Sequence, residues 1–146
     1  MDSVLLIILI GLVGGIAVGL QAPMASMITQ RLGMFESVFI VHVGGALIAL
    51  LPLLFFYSGG NLARWRELPW YTLLAGGFGL IVIAALSHMI PRVGIGAAVI
   101  TIIAGQMLVS TVLDHFGWLG GMGRSMDLTK ALGLLVVLVG VWLTVR

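Results

Sequence analysis

The sequence predicts an all-α integral membrane protein made of five transmembrane helices. Two observations carry this prediction. First, 61% of the 146 residues are hydrophobic and only 8% are charged, whereas soluble domains contain about 25% charged residues. Second, the apolar residues fall into five stretches of the length that a membrane helix needs, about 20 residues. A soluble fold of this length could not bury so much apolar surface.

The five predicted helices form one transmembrane domain over 1–146, and their ranges in chain order are 3–32, 35–57, 70–90, 94–115 and 128–145. The first contains Pro23. Because proline removes one backbone hydrogen bond, and membrane helices tolerate this loss when neighbours cover it, we expect a bend there. The second helix leads into a polar loop that begins with glycine breakers, Gly59 and Gly60.

Pro91 is expected to end the third helix, and only Arg92 and Val93 separate it from the fourth. So short a connection predicts a tight antiparallel hairpin. A glycine-rich loop follows the fourth helix. Asp127 is then the predicted N-cap of the fifth helix, which is almost entirely aliphatic.

The charge distribution gives little preference for either membrane orientation. An odd number of helices places the two termini on opposite sides, with four Lys and Arg residues on one side and three on the other. Orientation is set by asymmetry in these residues, so a weak bias permits both orientations. Dual insertion would permit an antiparallel homodimer. The alternative is that one orientation prevails for other reasons.

A polar stripe interrupts the fourth helix. Gln106, Ser110 and Asp114 are spaced four residues apart and therefore share one helix face. Gln21 lies beside the Pro23 bend of the first helix. An unpaired polar group in hydrocarbon is costly, and an amide can both donate and accept hydrogen bonds. We therefore predict substrate binding by Gln21, Gln106 and Ser110. The alternative is hydrogen bonding between helices.

Three titratable side chains are candidates for gating or proton coupling: Asp114, His88 and His42. Histidine can change charge in the physiological range. The alternative is a structural role for each histidine and a solvated helix end for Asp114. With no cysteine, and with scattered histidines and acids, the sequence predicts no metal site and no cofactor. It shows no nucleophile with a supporting base, so we do not expect an enzyme.

Several stretches together resemble a known family. They are GLQAPMASMITQRLG, VGGALIALL, GGFG, IPRVGIGAA and GQMLVSTVLDHFGWLG. In this order they resemble the DUF606 (YdcZ-like) family of the drug/metabolite transporter superfamily, over essentially the whole chain. The sequence departs from that family at Ala25, where an asparagine is usual, and at His42, where a small hydroxyl residue is more usual.

A second resemblance concerns the last helix. GLLVVLVGV is similar to the dimerisation segment of small multidrug resistance transporters, which implies that Gly133 and Gly140 pack at a dimer contact. The larger members of the superfamily have two inverted five-helix halves. The resemblance therefore implies an antiparallel homodimer of ten helices with a site near the bilayer midplane. A heterodimer with an oppositely oriented paralogue is the alternative.

The predicted function is that of a secondary transporter of small organic molecules that works by alternating access. The predicted location is the bacterial cytoplasmic (inner) membrane, as a multi-pass protein. The expected partners are the lipid bilayer, a small-molecule substrate and a second copy of the chain, with no nucleic acid. The competing hypothesis is a non-transporting membrane scaffold, or a subunit of another membrane complex.

Overall fold

The computed structural model describes residues 2–55, 62–120, 123 and 126–146. Every regular element in these ranges is helical, which confirms the predicted all-α class. The α-helices are α1 Asp2–Leu32, α2 Met34–Phe55, α3 Ala75–Phe116 and α4 Leu128–Val145. Short 3₁₀ helices occupy Leu62–Glu67, Trp70–Leu74 and Trp118–Gly120. The last two residues of the predicted second helix, 56 and 57, lie outside the described residues.

A single glycine separates α1 from α2. Gly33 has a φ of +116°, its N–H donates to the Thr29 carbonyl at 3.0 Å, and its own carbonyl accepts from the Ser37 N–H at 3.1 Å. This conformation favours glycine, and a Cβ here would also collide with the Glu36 carboxylate. The two helices joined in this way pack against each other.

In the structure, the break between the predicted third and fourth helices lies later in the chain than predicted. After the 3₁₀ turn at Trp70–Leu74, α3 continues through Pro91 and leaves the helical conformation only at Gly94, where φ is 83° and ψ is 167°. Proline removes a single hydrogen bond and already has a helical φ, so it does not by itself end a membrane helix. Gly94 can adopt the positive φ that a break requires.

Four stretches in the described part of the chain are long and apolar enough to cross a membrane: Val4–Leu32, Met34–Phe55, Trp70–Phe116 and Leu128–Val145. The large hydrophobic side chains along them are mostly exposed. This pattern suits helices surrounded by lipid and identifies a multi-pass membrane protein. Five separate spans and an antiparallel dimer stay predictions.

The chain divides into two compact units, which we call the first unit (Met1–His88) and the second unit (Met89–Arg146). Their buried side chains are almost all small, and small residues let membrane helices approach closely. In the first unit the most buried polar residues are Ser26 and Ser37, with 1% and 0% of their surface exposed. In the second unit Ala97, Ala98 and Ala104 are buried.

Asp127 caps the first turn of α4, as predicted. Its Oδ1 accepts a hydrogen bond from the backbone N–H of Lys130 at 2.7 Å, and its backbone is extended. Residue Ala131 adds a helical bond to the Asp127 carbonyl at 3.1 Å. The cap satisfies one of the donors that a helix start leaves unpaired.

Candidate functional site

The first unit contains a cavity of about 380 Å³ between α1, α2 and the first part of α3. This volume falls in the range of small-molecule sites. Only two lining residues, Gln21 and His42, have polar side chains. The lining residues are Val18, Gln21, Ala22, Ala25, Val41, His42, Gly45, Gly79, Val82, Ile83 and Leu86. The structure therefore brings together one predicted binding residue and one predicted titratable residue in an otherwise apolar wall.

One face of α1 forms a wall of the cavity. Val18, Gln21, Ala22 and Ala25 are spaced as i, i+3, i+4 and i+7, which aligns them on a helix. Ala22 and Ala25 are buried against the neighbouring helices, with 2% of their surface exposed. At position 25, where the resembled family usually has an asparagine, this cavity has only a methyl group. The Ala25 carbonyl accepts a hydrogen bond from Ser37 Oγ at 2.9 Å.

His42 is held in a defined orientation on α2. Its Nδ1 lies 2.7 Å from the carbonyl oxygen of Val38, one turn earlier. A carbonyl can only accept, so Nδ1 carries the proton and the neutral ring keeps its lone pair on Nε2. The first part of α3 meets this ring at Gly79, where a Cβ would lie 2.5 Å from Nε2 and 2.7 Å from Cε1. Position 79 must therefore lack a side chain for His42 to keep this position.

A polar seam fixes the three helices together at one end of the cavity. We use this name for the two hydrogen bonds between helices, Ser37 Oγ to the Ala25 carbonyl and Ser87 Oγ to Thr29 Oγ1 at 3.0 Å. Gln30 Nε2 donates to Ser26 Oγ at 3.0 Å, but this bond stays within α1 and is not part of the seam. Because the two seam bonds join α1 to α2 and α1 to α3, the seam sets the spacing of the three helices at this end of the cavity.

The sequence did not predict that Gly79, Ser37, Thr29 and Ser87 lie at or beside the site. The signal for Gly79 was present in the GGFG stretch, but nothing in the sequence paired that glycine with His42. The hydroxyl residues carried no signal, because serine and threonine in a membrane helix can equally well bond to their own helix.

The glycines on α1 before Pro23 are Gly11, Gly14, Gly15 and Gly19. The sequence suggests that they allow another helix to approach closely. A Cβ built at Gly11, Gly14, Gly15 or Gly19 would meet no atom within 4 Å in the described part of the chain. The chain itself therefore leaves this face of α1 uncovered.

The predicted stripe on the fourth helix lies in the second unit, on the part of α3 after Gly94. Gln106, Ser110 and Asp114 are all exposed. Ser110 Oγ donates to the carbonyl of Met107, on its own helix, at 3.2 Å. A role of these three residues in substrate binding or gating stays a prediction.

The remaining predicted residues are placed as follows. His88 is an exposed residue of the first unit and is not among those that line its cavity. A Cβ at Gly133 would meet no atom within 4 Å of the described chain, and one at Gly140 would lie 3.9 Å from Ile100 Cδ1. Gly140 thus contacts the second part of α3, and both dimer assignments stay predictions.

No group of three or more His, Asp or Glu side chains arranged to hold a metal ion occurs among the described residues. The polar chemistry of the cavity is limited to one amide and one imidazole. Such a site can bind and orient a ligand through hydrogen bonds.

Comparison with known proteins gives one match. The model of a family described as "Putative inner membrane exporter, YdcZ" matches residues 6–143, nearly the whole chain. No curated protein and no solved structure matches the chain at a significant level. The family match confirms the resemblance seen in the sequence and supports a membrane transporter in general.

Proposed function

The chain belongs to the YdcZ family of inner membrane exporters, and from this premise we propose that it is a secondary transporter of small organic molecules. The observation that carries this proposal is the cavity of the first unit. It lies within helices that are long and apolar enough to cross a bilayer, and it places Gln21 and His42 in an apolar wall. A few polar groups in an apolar cavity are typical of sites that bind small molecules.

The proposal includes five membrane crossings. The stretch Trp70–Phe116 has 47 residues, which as one straight helix would measure about 70 Å, more than twice the hydrocarbon core. Gly94 divides α3 into two parts of roughly 20 residues, each long enough to cross once. The non-helical conformation of Gly94 supports a turn between two crossings.

The proposed assembly is an antiparallel homodimer in a bacterial inner membrane. It is supported by the near balance of Lys and Arg on the two sides, which permits both orientations. Two inverted five-helix units would form the paired repeats typical of alternating access. In this arrangement Gln106 and Ser110 add polar groups to the path, and Asp114, His88 and His42 serve gating or proton coupling.

The test of transport uses purified protein reconstituted in liposomes. Uptake of a panel of small organic compounds is measured with and without a pH gradient, with protein-free liposomes as the control. We expect protein-dependent flux of at least one compound, and we expect Gln21→Ala to slow it about tenfold, the effect of losing one hydrogen bond of about 1.4 kcal/mol to the substrate. Gln30→Ala is the matched control, because Gln30 is an α1 amide outside the cavity.

Gln106→Ala tests the second predicted amide in the same assay. Unchanged flux in this variant would remove Gln106 from the site while leaving the cavity of the first unit. Absence of flux across the panel, together with co-purification of a large membrane partner, would favour the scaffold hypothesis instead.

A further inference from the structure

The cavity of the first unit contains two polar groups whose hydrogen-bonding capacity is unused. The ring of His42 bonds through Nδ1 to Val38, and in the described part of the chain Nε2 has no hydrogen-bond partner. The amide of Gln21 likewise has none there, and both side chains are exposed in the single chain. Unpaired polar groups at membrane depth are costly, so a ligand that supplies their partners gains binding free energy.

His42 and Gln21 require different hydrogen-bonding groups from a ligand. With its proton on Nδ1, neutral His42 offers an acceptor at Nε2, so the matching ligand group is a hydroxyl or an N–H donor. Gln21 can donate or accept and therefore suits either kind of group. Because position 79 has no side chain, the Nε2 edge of His42 lies next to the α3 backbone and no side chain covers it at that position.

Charge excludes two ligand classes. None of the residues lining the cavity carries a carboxylate, and none is Phe, Tyr or Trp, so a permanent cation would have neither a counter-ion nor an aromatic cage. None is Lys or Arg, so an anion would also be uncompensated as long as His42 is neutral. An isolated charge in a site of low dielectric is strongly disfavoured.

We propose that this cavity binds an uncharged, mainly apolar molecule that donates a hydrogen bond to His42 Nε2 and contacts the Gln21 amide. His42 is the residue that selects for the donor group, and Gly79 is the residue that makes room for the imidazole. The proposal rests on the proposed transport function and specifies its substrate class. It applies to binding, which can be measured without a gradient.

The experiment compares four naphthalene probes of similar size with the full-length protein in lipid nanodiscs. The probes are 2-naphthol, its methyl ether, 2-naphthoate and the 2-naphthyltrimethylammonium ion. Equilibrium dialysis against empty nanodiscs corrects for partition into lipid. We expect saturable, protein-dependent binding of 2-naphthol, and about tenfold weaker binding of the ether, which lacks the donor. We expect no saturable binding of the two ions.

Variants then locate the site. His42→Leu is expected to weaken 2-naphthol binding about tenfold and to bind the methyl ether as the wild type does. His115→Leu is the matched control, since His115 is an exposed histidine at the end of α3, outside the cavity. Equal binding of 2-naphthol and its ether by the wild type would overturn the proposal. Tighter binding of the cation than of 2-naphthol would also overturn it. Both results come from the wild-type protein, so neither depends on whether a variant folds.

The transport assay distinguishes failure of this proposal from failure of the transport function on which it rests. Binding of 2-naphthol with the expected preference but without flux would contradict transport and support the ligand class. Flux of a permanent cation that His42→Leu leaves unchanged would support transport and overturn the ligand class.

Discussion

The long helices of the two units differ in how their hydroxyl groups bond. In the first unit, Ser37 and Ser87 donate across to α1, to the Ala25 carbonyl and to Thr29, and among the described hydroxyl groups only Thr72, in a 3₁₀ turn, donates locally, to the Pro69 carbonyl. In the second unit four described hydroxyl groups donate to carbonyls of their own helix. These bonds are Thr101 to Ala97 at 2.7 Å, Ser110 to Met107 at 3.2 Å, Thr111 to Met107 at 2.7 Å, and Thr144 to Gly140 at 3.0 Å.

This difference shows where the helix spacing is fixed within a single chain. A hydrogen bond between two helices sets their distance and register, whereas a bond to the preceding turn only satisfies the hydroxyl group. The first unit therefore builds its cavity from its own contacts. The second unit leaves its apolar faces available to lipid or to another copy of the chain.

The largest effect on stability and binding is expected from a substitution of Gly79 in the first unit. Gly79→Val places a Cβ 2.5 Å from the present position of His42 Nε2 and 2.7 Å from that of Cε1. We expect a loss of stability of about 1–3 kcal/mol, as for other overpacked positions, and loss of 2-naphthol binding. The apparent free energy of unfolding in mixed micelles measures the first effect, and dialysis measures the second.

Gly77→Val is the matched control, two residues earlier on the same helix. A Cβ there meets no atom within 4 Å in the described part of the chain. A similar loss of stability in both variants would show that the effect comes from the helix or from an assembly contact, and would contradict the specific packing of His42 on Gly79.

A smaller effect is expected in the second unit when the α4 cap is removed. Asp127→Ala deletes the acceptor for the Lys130 N–H and should cost about 1 kcal/mol. Because the bond is local, we expect faster hydrogen exchange in the first turn of α4, by about fivefold. Mass spectrometry of peptides covering this turn measures the rate. Asp127→Asn, which retains an N-cap acceptor, should restore slow exchange; equally fast exchange would contradict the capping role.

The smallest effect distinguishes bonds between helices from bonds within a helix. Thr29→Val removes the partner of the Ser87 hydroxyl on α3, while Thr111→Val removes a bond to the preceding turn. We expect a loss of about 0.6 kcal/mol for the first, the average for hydrogen bonds between membrane helices, and almost none for the second. Unfolding in mixed micelles measures both. Equal losses would mean that the seam does not fix helix spacing.

Hydropathy and capping chemistry predicted much of the fold. The predicted first helix, 3–32, ends where α1 ends, since Gly33 is the residue that can adopt the positive φ. The Asp127 cap follows from its side chain alone. The break expected at Pro91 was placed too early, because the effect of a proline depends on whether the surrounding helices cover its lost bond.

Only part of the candidate site could be predicted from the sequence. Gln21 and His42 stood out because each is a polar residue in an apolar helix, and the cavity contains both. Their common location depends on how α1, α2 and α3 pack, which a periodicity pattern does not give. The role of Gly79 was hidden for the same reason: its function is to leave space for an atom of another helix.

The contact between His42 and Gly79 also restricts how this protein could have evolved. A side chain at position 79 would displace the imidazole from its present position, so glycine at 79 favours histidine at 42. Once the histidine is present, a substitution at 79 is costly unless position 42 also changes. Related sequences should therefore show these two positions varying together, with a larger residue at 79 only where residue 42 is smaller.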